Sequence, residues 1–239
     1  FMHSLGKSKG VNIHIKKGIP PGSGIGSSAS SAAAAVVGIN ELFGKPYDLK
    51  NLIFHGMAGE QVASGSFHAD NIAPAILGGI KLIRSYEPLE ILNLPIPKKL
   101  LCIVALPDFT INTYDARNML PKRVPLKSAI EQAGNLAGFT IGLYQEDYKL
   151  MSRSMVDLFA EPVRAKLIPG FKKIQSILKN EDIIGCGISG SGPAIFALSN
   201  NLENSKKIKK IMVDEFKKIG INSIGYISKV QTLSPQIIK

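Results

Sequence analysis

Residues 20–31 read PPGSGIGSSASS, and this glycine-rich stretch lies between two segments of different periodicity. Before it, residues 11–17 read VNIHIKK, where apolar residues alternate with polar ones as in a half-buried strand. After it, residues 32–44 read AAAAVVGINELFG, which is rich in strong helix formers. The pattern therefore predicts a strand, a glycine loop and a helix, in that order.

A glycine loop directly in front of a helix has the chemistry of a phosphate-binding site. Glycines carry no Cβ, so several backbone N–H groups can converge on an anion, and the helix N-terminus adds unpaired donors and its positive dipole end. The loop lacks the Gly-Lys-Ser/Thr ending of the Walker pattern and the later acidic residue of the dinucleotide fingerprint. A purely structural tight turn is the alternative. If phosphate binds here, a carboxylate elsewhere in the chain must hold the accompanying cation.

Glu60 is the candidate for that carboxylate. A second helix is predicted over residues 49–63, with Asp48 as its N-cap. Glu60 follows Ile53 by seven positions and Met57 by three, which places it on the apolar stripe of that helix. A carboxylate on such a stripe is costly unless it is paired or binds a metal. A salt bridge to a lysine or arginine is the alternative interpretation.

A polar cluster follows this helix in residues 64–71, SGSFHADN, where His68, Asp70 and Asn71 stand within four positions. Such a density of polar groups in a short loop suits the positioning of a small polar substrate. The cluster is a poor metal site because no second histidine lies at ligand spacing. Capping of a helix is the alternative role.

The composition indicates a globular chain. With 239 residues, 45% hydrophobic and 20% charged, it is long enough for two ordinary domains or one large one. Its apolar runs are shorter than the roughly 18 residues that span a bilayer, and its first residues do not follow the order of a signal peptide. We expect a soluble, cytoplasmic protein that does not bind membranes, with Cys102 and Cys186 as structural thiols.

The formal charge of +11 does not by itself identify a partner. Much of the excess lies in residues 205–220, SKKIKKIMVDEFKKIG, where apolar residues form one helical stripe and lysines fill the rest. The stripe comprises Ile208, Ile211, Met212, Phe216 and Ile219. A solvated helix face explains this pattern, because neither interleaved aromatics nor a nucleic-acid module is present in the sequence.

The remaining pattern favours an α+β fold in two lobes, because helices and strands interleave without the regular alternation of a doubly wound sheet. Residues 88–99, PLEILNLPIPKK, break the periodicity, so we predict lobes at 1–95 and 96–239. Strands are predicted at 79–86, 100–106 and 223–230, and a strand-loop-strand unit at 183–199. Loops are predicted at 64–79 and 107–117, followed by a helical region to about residue 180.

These stretches together resemble the GHMP small-molecule kinases. PPGSGIGSSA at 20–29 is similar to the phosphate-loop pattern Pro-x-x-x-Gly-Leu-Gly-Ser-Ser-Ala, with Ile25 in place of leucine. Within that superfamily, four stretches resemble the homoserine kinase subgroup: SGSFHADNIAPAILGG at 64–79, TYDAR at 113–117, AEPVRAKLIPGF at 160–171 and GISGSGPAIFAL at 187–198. The resemblance covers nearly the whole chain.

The resemblance implies a two-lobed GHMP kinase fold with a ferredoxin-like C-terminal α/β sandwich. It implies ATP and Mg²⁺ as cofactors and L-homoserine as the small-molecule substrate. The ATP phosphates would lie against Pro20, Gly22, Ser23, Gly24, Ile25, Gly26, Ser27 and Ser28. Mg²⁺ would bind Ser28 and Glu60, with Ser27 left open as the alternative hydroxyl. Substrate contacts would come from His68, Asp70, Asn71, Arg117, Arg164, Gly187, Ser189 and Gly190.

The resemblance also implies a catalytic set of Asn71, Thr113 and Glu60. Thr113 stands where related kinases carry a catalytic aspartate, and its hydroxyl cannot act as a carboxylate base. A mechanism based on positioning and charge stabilisation is therefore implied, in which the homoserine hydroxyl attacks the γ-phosphoryl directly. Arg117 and Arg164 would clamp the substrate carboxylate; ordinary surface ion pairs are the alternative for each arginine.

Three other functions stay open on the sequence: a kinase for a different small alcohol, a ligand-sensing relative without catalysis, and a basic nucleic-acid-binding module. Glu60 and the intact phosphate loop argue against the sensor, and the absence of tryptophan argues against base stacking. Members of the resembled family carry a further N-terminal segment before the strand predicted at 11–17, so we expect this chain to be a fragment. A homodimer is left open.

Overall fold

The computed structural model describes residues 1–6, 10–65 and 67–238, without the side chains of Ala63 and Ser64. The chain folds into two compact units that are discontinuous in sequence. The first unit comprises residues 1–21, 26–93 and 231–239, and the second comprises residues 22–25 and 94–230. Within the described residues, no helix is long and apolar enough to cross a membrane.

The described residues of the first unit form three α-helices, a short 3-10 helix (His3–Leu5) and a two-stranded sheet. Its elements are α1 (Ser27–Leu42), α2 (Leu49–Ser64), α3 (Ile72–Leu77), β1 (Ile80–Tyr86) and β2 (Leu89–Leu94), with β1 paired to β2. Helix α2 begins as predicted, because Asp48 accepts a hydrogen bond from the backbone N–H of Asn51 at 2.8 Å. The alanine-rich face of α1 packs with α2 and α3 around a core that includes Ala33, Ile53, Met57, Ile72 and Ile76.

Two expectations for this region are wrong, and one strand was missed. Residues 11–17 form no strand, because no other described segment pairs with them and a strand requires a ladder partner; Ile13 and Ile15 are about half exposed. Residues 64–79 are not all loop, since Ile72–Leu77 is helical and Pro74 lies in the first turn, where proline is tolerated. Sequence reasoning also missed strand β2, which lies within residues 88–99 and ends just before Pro95.

The second unit contains a four-stranded antiparallel sheet with order β4-β5-β3-β6. Its elements are β3 (Leu101–Pro107), α4 (Thr113–Asn118), α5 (Leu126–Gln145), α6 (Tyr148–Ser154), α7 (Glu161–Arg164), α8 (Phe171–Leu178), β4 (Gly185–Ile188), β5 (Ile195–Ser199), α9 (Leu202–Lys218) and β6 (Ser223–Lys229). This is the β-α-β-β-α-β order of a ferredoxin-like sandwich, so the predicted fold class is confirmed. The loop predicted at 107–117 is wrong from Thr113 onward, where Asn112 caps α4.

Helices α8 and α9 cover one face of this sheet. Their buried residues pack against the central strands, and the set comprises Ile103, Ala105, Phe171, Ile174, Ile195, Ala197, Ile208, Met212 and Phe216. The apolar stripe predicted for α9 is therefore largely confirmed; Ile219 is exposed because the helix ends at Lys218. Lysines on the outer face of α9 pair with acids, as Lys206 does with Glu203 and Lys210 with Asp214, which agrees with a solvated helix face.

Both cysteines are free thiols. Burial raises the pKa of Cys102 to about 11, and burial together with the nearby Glu161 carboxylate raises the pKa of Cys186 to about 11. Both thiols are therefore protonated at neutral pH and poorly nucleophilic. This agrees with the structural role expected for them.

Candidate functional site

The glycine loop adopts a backbone that only glycine accommodates easily. Gly22, Gly24 and Gly26 have φ values of 68°, 78° and 79°, all in the left-handed region. Helix α1 begins immediately after Gly26, which carries no side chain to cap the first turn. The first N–H groups of α1 thus follow three left-handed glycines at alternate positions, an arrangement suited to an anion such as a phosphate.

Two adjacent serines at the start of α1 have different partners. The Ser28 hydroxyl donates to Glu60 Oε1 at 2.8 Å, whereas the Ser27 hydroxyl donates to the backbone carbonyl of Ile19 at 2.7 Å. Ser27 is buried, and its hydroxyl ties the helix start to the preceding segment. The structure therefore brings Ser28, and not Ser27, to the carboxylate of the half-buried Glu60.

Hydroxyl and carboxylate oxygens are the ligands that Mg²⁺ prefers, and this ion commonly uses one or two carboxylates together with phosphate oxygens and water. Among the residues that the structure describes, no group of three or more His, Cys, Asp or Glu side chains could hold a metal by itself. Ser28 and Glu60 would suit a Mg²⁺ ion, because both supply hard oxygen donors next to the loop.

The polar cluster of the first unit is only partly gathered at the loop. Asn71 lies beside it, since a Cβ atom built on Gly26 would be 3.6 Å from Asn71 Oδ1. Asp70 accepts a hydrogen bond from the N–H of Asn71 at 2.9 Å, and the His68 ring lies edge-on to Tyr86 with ring centroids 5.9 Å apart. Sequence reasoning missed Tyr86, because no local signal links a residue in β1 to His68. Ser66 of the same motif lies outside the described residues.

In the second unit, residues 22–25 pack against the glycine-rich turn after β4. The Ser189 hydroxyl donates to the Gly24 carbonyl at 2.9 Å, and the Ala194 N–H donates to the Ser23 carbonyl at 3.2 Å. A Cβ atom on Gly24 would lie 2.5 Å from the carbonyl oxygens of both Ser189 and Gly192. Gly24 is thus required for close approach of two backbone segments, which explains a glycine at this position independently of any ligand.

Arg164 and Thr113 contact the same glycine-rich turn. Arg164 Nη1 donates to the Gly190 carbonyl at 2.8 Å, and Thr113 Oγ1 lies 3.4 Å from the hydroxyl of Ser191. Arg117 follows Thr113 by one turn of α4 and so shares its face. Its Nη1 is buried without a hydrogen-bond partner among the described residues, which leaves a guanidinium donor for an anion.

Two residues of this region were missed by sequence reasoning. Ser191 is buried and contacts Thr113, but its serine-glycine surroundings give no sign of that contact. Asn112 accepts a hydrogen bond from the Tyr114 N–H at 2.9 Å and so begins the helix that carries Thr113 and Arg117. An asparagine directly before a helical segment is a recognised N-cap signal, and it could have predicted α4.

A cavity of about 380 Å³ in the second unit lies away from these residues. Its lining includes Glu161, Lys172 and Cys186. Glu161 accepts hydrogen bonds from Lys172 at 3.1 Å and from Gln175 at 2.9 Å, so its charge is already compensated within the wall. None of the predicted site residues lines this cavity.

Two segments of the chain match family models. Residues 1–79 match the N-terminal domain of the GHMP kinases, and residues 139–218 match the C-terminal GHMP kinase domain. The glycine loop before α1 and the ferredoxin-like sheet agree with these matches. Fold and site together define an ATP-dependent small-molecule kinase of the GHMP class.

Curated relatives indicate to which family within the GHMP kinases the chain belongs. The homoserine kinase of Chlorobium phaeobacteroides strain DSM 266 is 43% identical over 90% of this chain and 69% of its own length. That of Chlorobaculum tepidum is 40% identical over 100% of this chain and 76% of its own length. The crystal structure of homoserine kinase from Cytophaga hutchinsonii superposes with a TM-score of 0.95 at 43% identity, covering 99% of this chain and 75% of that one. The chain belongs to the homoserine kinase family.

Proposed function

We propose that this chain transfers the γ-phosphoryl group of ATP to the side-chain hydroxyl of L-homoserine, producing O-phospho-L-homoserine and ADP in cytoplasmic threonine biosynthesis. The observation that carries the proposal is the Ser28–Glu60 hydrogen bond at the start of α1, directly after the left-handed glycines. This hydrogen bond brings two oxygen donors for a divalent cation together, directly after a loop that suits phosphate binding. Family membership at 40–43% identity supports the choice of substrate.

The nucleotide phosphates would be held by backbone N–H groups of residues 22–28, and Ser28 with Glu60 would hold Mg²⁺. Bound Mg²⁺ neutralises charge on phosphate oxygens. Ser27 is excluded from this role in our proposal because its hydroxyl already donates to Ile19. Asn71, beside Gly26, would position the reacting hydroxyl as a hydrogen-bond partner, and His68 and Asp70 would line the substrate.

In the reaction, the homoserine hydroxyl oxygen forms a bond to the γ-phosphorus while the bond from that phosphorus to the bridging oxygen breaks. ADP leaves with that oxygen, and the hydroxyl proton passes to phosphate or solvent. A loose transition state of this kind needs little help from a strong base. Thr113 has no carboxylate, and its hydroxyl near Ser191 suits hydrogen bonding and orientation.

Substrate selection would depend on Arg117 and Arg164, which would bind the amino-acid carboxylate beside the turn at 187–192, including Gly187, Ser189 and Gly190. The Arg117 Nη1 atom, which is buried and has no acceptor among the described residues, supports this role. A bidentate guanidinium–carboxylate contact is a charge-assisted interaction worth about 1.5–3 kcal/mol. Its loss should lower catalytic efficiency by about one to two powers of ten, since roughly 1.4 kcal/mol corresponds to tenfold.

A coupled ADP-release assay tests the proposal with homoserine, homoserinol and a panel of other small alcohols. Homoserinol retains the reacting hydroxyl and the amine but lacks the carboxylate, so the wild type should use it much less efficiently. In Arg117→Ala and Arg164→Ala, homoserine should lose most of that advantage. Arg153→Ala, which removes an exposed arginine at the end of α6, is the matched control and should keep it.

Three results would contradict the proposal. Equal wild-type efficiency on homoserine and homoserinol would exclude carboxylate recognition and favour a kinase for another alcohol. Turnover of a different alcohol in the panel with greater efficiency than homoserine would identify that alcohol as the substrate. Homoserine binding without any ADP release from the wild type would indicate a ligand-sensing relative.

A further inference from the structure

Tyr86, the last residue of β1, contacts the segment that carries two of the proposed substrate-lining residues. Its hydroxyl accepts a hydrogen bond from the Ala69 N–H at 3.4 Å, and its ring lies edge-on to the His68 ring. We propose that Tyr86 is a positioning residue, which holds His68 and Asp70 in the orientation that the small-molecule substrate requires. This inference rests on the proposed function, in which those two side chains line the substrate.

Ala69 is the point at which this segment is held. The residue is completely buried, so solvent cannot satisfy its N–H, and the acceptor within the described part of the chain is the Tyr86 hydroxyl. The Ala69 carbonyl accepts a hydrogen bond from the N–H of Ala73 in α3 at 2.8 Å. The backbone is therefore fixed on both sides of Ala69, by β1 through its N–H and by α3 through its carbonyl.

Fixing Ala69 also orients its two neighbours, because each is joined to it through a planar peptide group. His68 is half-buried and Asp70 is exposed, so core packing does not determine the direction of either side chain. A backbone that is already ordered loses less conformational entropy when the substrate binds. The Tyr86 hydroxyl thus contributes to substrate affinity through residues that it orders, without touching the substrate itself.

The strand that carries Tyr86 is itself anchored. Ile83 of β1 and Leu89 of β2 pack against the core of the first unit, and Arg84 pairs with Glu90 across the two strands. A side chain on a packed strand holds a loop more precisely than one on another loop would. The clamp on residues 68–70 is therefore rigid on the β1 side.

The exposure of Tyr86 distinguishes this role from core packing. The side chain is 42% exposed, so it buries less apolar area than a core tyrosine, while its hydrogen bond and its ring contact both go to residues 68–69. Removing the hydroxyl should therefore affect this segment more than the rest of the fold.

Steady-state kinetics of Tyr86→Phe test the proposal. This variant keeps the ring but removes the acceptor of the Ala69 N–H, so KM for the alcohol substrate should rise about threefold to tenfold. KM for MgATP should stay within about twofold, because the Tyr86 hydroxyl contacts neither the glycine loop nor Glu60. Tyr226→Phe, at a tyrosine of β6 that is 45% exposed, is the matched control and should change neither constant.

The ring contact has a separate test. Tyr86→Leu removes the ring as well as the hydroxyl, so it should lower kcat/KM more than Tyr86→Phe does. In a His68→Ala background the two substitutions at position 86 should have equal effects, because the ring no longer has its partner. A larger effect of Tyr86→Leu that persists in this background would overturn the action of the ring through His68.

Hydrogen exchange measures the clamp independently of catalysis. In Tyr86→Phe, the Ala69 amide should exchange about threefold to tenfold faster than in the wild type, while amides of β3–β6 keep their protection. Tyr226→Phe should leave the Ala69 amide unchanged. The kinetic measurements use the alcohol that the substrate panel identifies, so failure of homoserine as a substrate would contradict the proposed function and leave the test of Tyr86 intact.

Two results would overturn the positioning role. Unchanged exchange of the Ala69 amide in Tyr86→Phe would mean that the hydroxyl does not hold this segment. An unchanged KM for the alcohol, or an equal rise in KM for the alcohol and for MgATP, would mean that Tyr86 has no specific effect on the substrate side of the site.

Discussion

Among single residues, Glu60 provides the sharpest test of the cation site, because its carboxylate accepts the Ser28 hydroxyl beside the glycine loop. Glu60→Gln keeps the volume and a hydrogen-bond acceptor but removes the charge that attracts Mg²⁺. We expect a loss of about tenfold to a hundredfold in MgATP affinity or turnover, comparable with other losses of metal-site groups. Calorimetric titration of MgATP and steady-state assays measure the effect.

Glu41→Gln is the matched control for this substitution. Glu41 lies in the last turn of α1 and pairs with the exposed Lys45 at 3.2 Å, so its loss should leave nucleotide affinity unchanged. Unchanged affinity and turnover in Glu60→Gln would mean that the Ser28–Glu60 bond has only a structural role.

Two glycines of the loop should respond differently to alanine. Gly26→Ala should cost about 1–2 kcal/mol from left-handed strain and still fold, since Asn71 Oδ1 at 3.6 Å leaves room for a methyl group. Gly24→Ala should cost about 3 kcal/mol or more, because its methyl group would clash with two backbone carbonyls at 2.5 Å. Chemical denaturation measures both values.

Gly38→Ala serves as the control in the interior of α1. Apart from the backbone of its own helix and its chain neighbours, no atom of the described residues lies within 4 Å of the added methyl group, and the change should stabilise the chain by about 0.5–1 kcal/mol. Equal destabilisation by Gly24→Ala and Gly26→Ala would contradict the packing explanation for Gly24.

Between elements, Glu215 links α9 to α8. Its buried carboxylate pairs with Lys218 of the same helix and with Lys173 of α8. The distance from Lys173 Nζ to Glu215 Oε2 is 2.9 Å. The hydrogen bonds from Lys218 and Lys173 lower the pKa of Glu215 below its ordinary value of 4.5. The folded state therefore binds fewer protons here than the unfolded state, and this stabilising contribution is present above about pH 4.5.

As the pH falls below that value through the folded-state pKa, the contribution of Glu215 should be lost. Glu215→Gln should accordingly be less stable than the wild type at neutral pH and should lose less stability on acidification. Urea denaturation between pH 7 and pH 3 measures this difference. Glu203→Gln, which removes an exposed partner of Lys206, is the control and should follow the wild-type curve. Parallel curves for the wild type and Glu215→Gln would exclude the linkage.

For the whole molecule, the chain returns to its first unit at the C-terminus. The Gly79 N–H donates to the Gln231 carbonyl at 2.7 Å, and a Cβ atom on Gly78 would lie 2.5 Å from the Thr232 carbonyl oxygen. Truncation after Val230 removes these contacts just before β1. We expect a loss of about 1–2 kcal/mol, since a backbone donor loses its partner.

Hydrogen exchange should localise this loss to β1 and β2, with little change in β3–β6. Truncation after Pro235 is the control, because it keeps Gln231 and Thr232 and should retain wild-type protection. Equal protection of β1 in both truncated chains would show that the tail does not stabilise the first unit.

Much of the fold follows from local sequence patterns. The apolar stripe of α9, the Asp48 cap of α2 and the continuous apolar run of β3 depend on residues a few positions apart, so hydrophobic patterning and cap chemistry predict them. The glycine loop is likewise a local motif, because the left-handed backbone at Gly22, Gly24 and Gly26 is a property of glycine itself.

Contacts between residues distant in sequence required the tertiary structure. Only it distinguishes Ser28 from Ser27, because Glu60 lies 32 positions away, and only it explains Gly24, whose partner Ser189 lies 165 positions away. The strand predicted at 11–17 fails for the same reason, since alternation indicates a half-buried strand but does not supply the neighbour that pairs with it. Local periodicity determined the long helices α1, α2 and α9 and most strands of this protein, whereas hydrogen-bond partners brought together by chain folding decided which loop atoms pack against the rest of the chain.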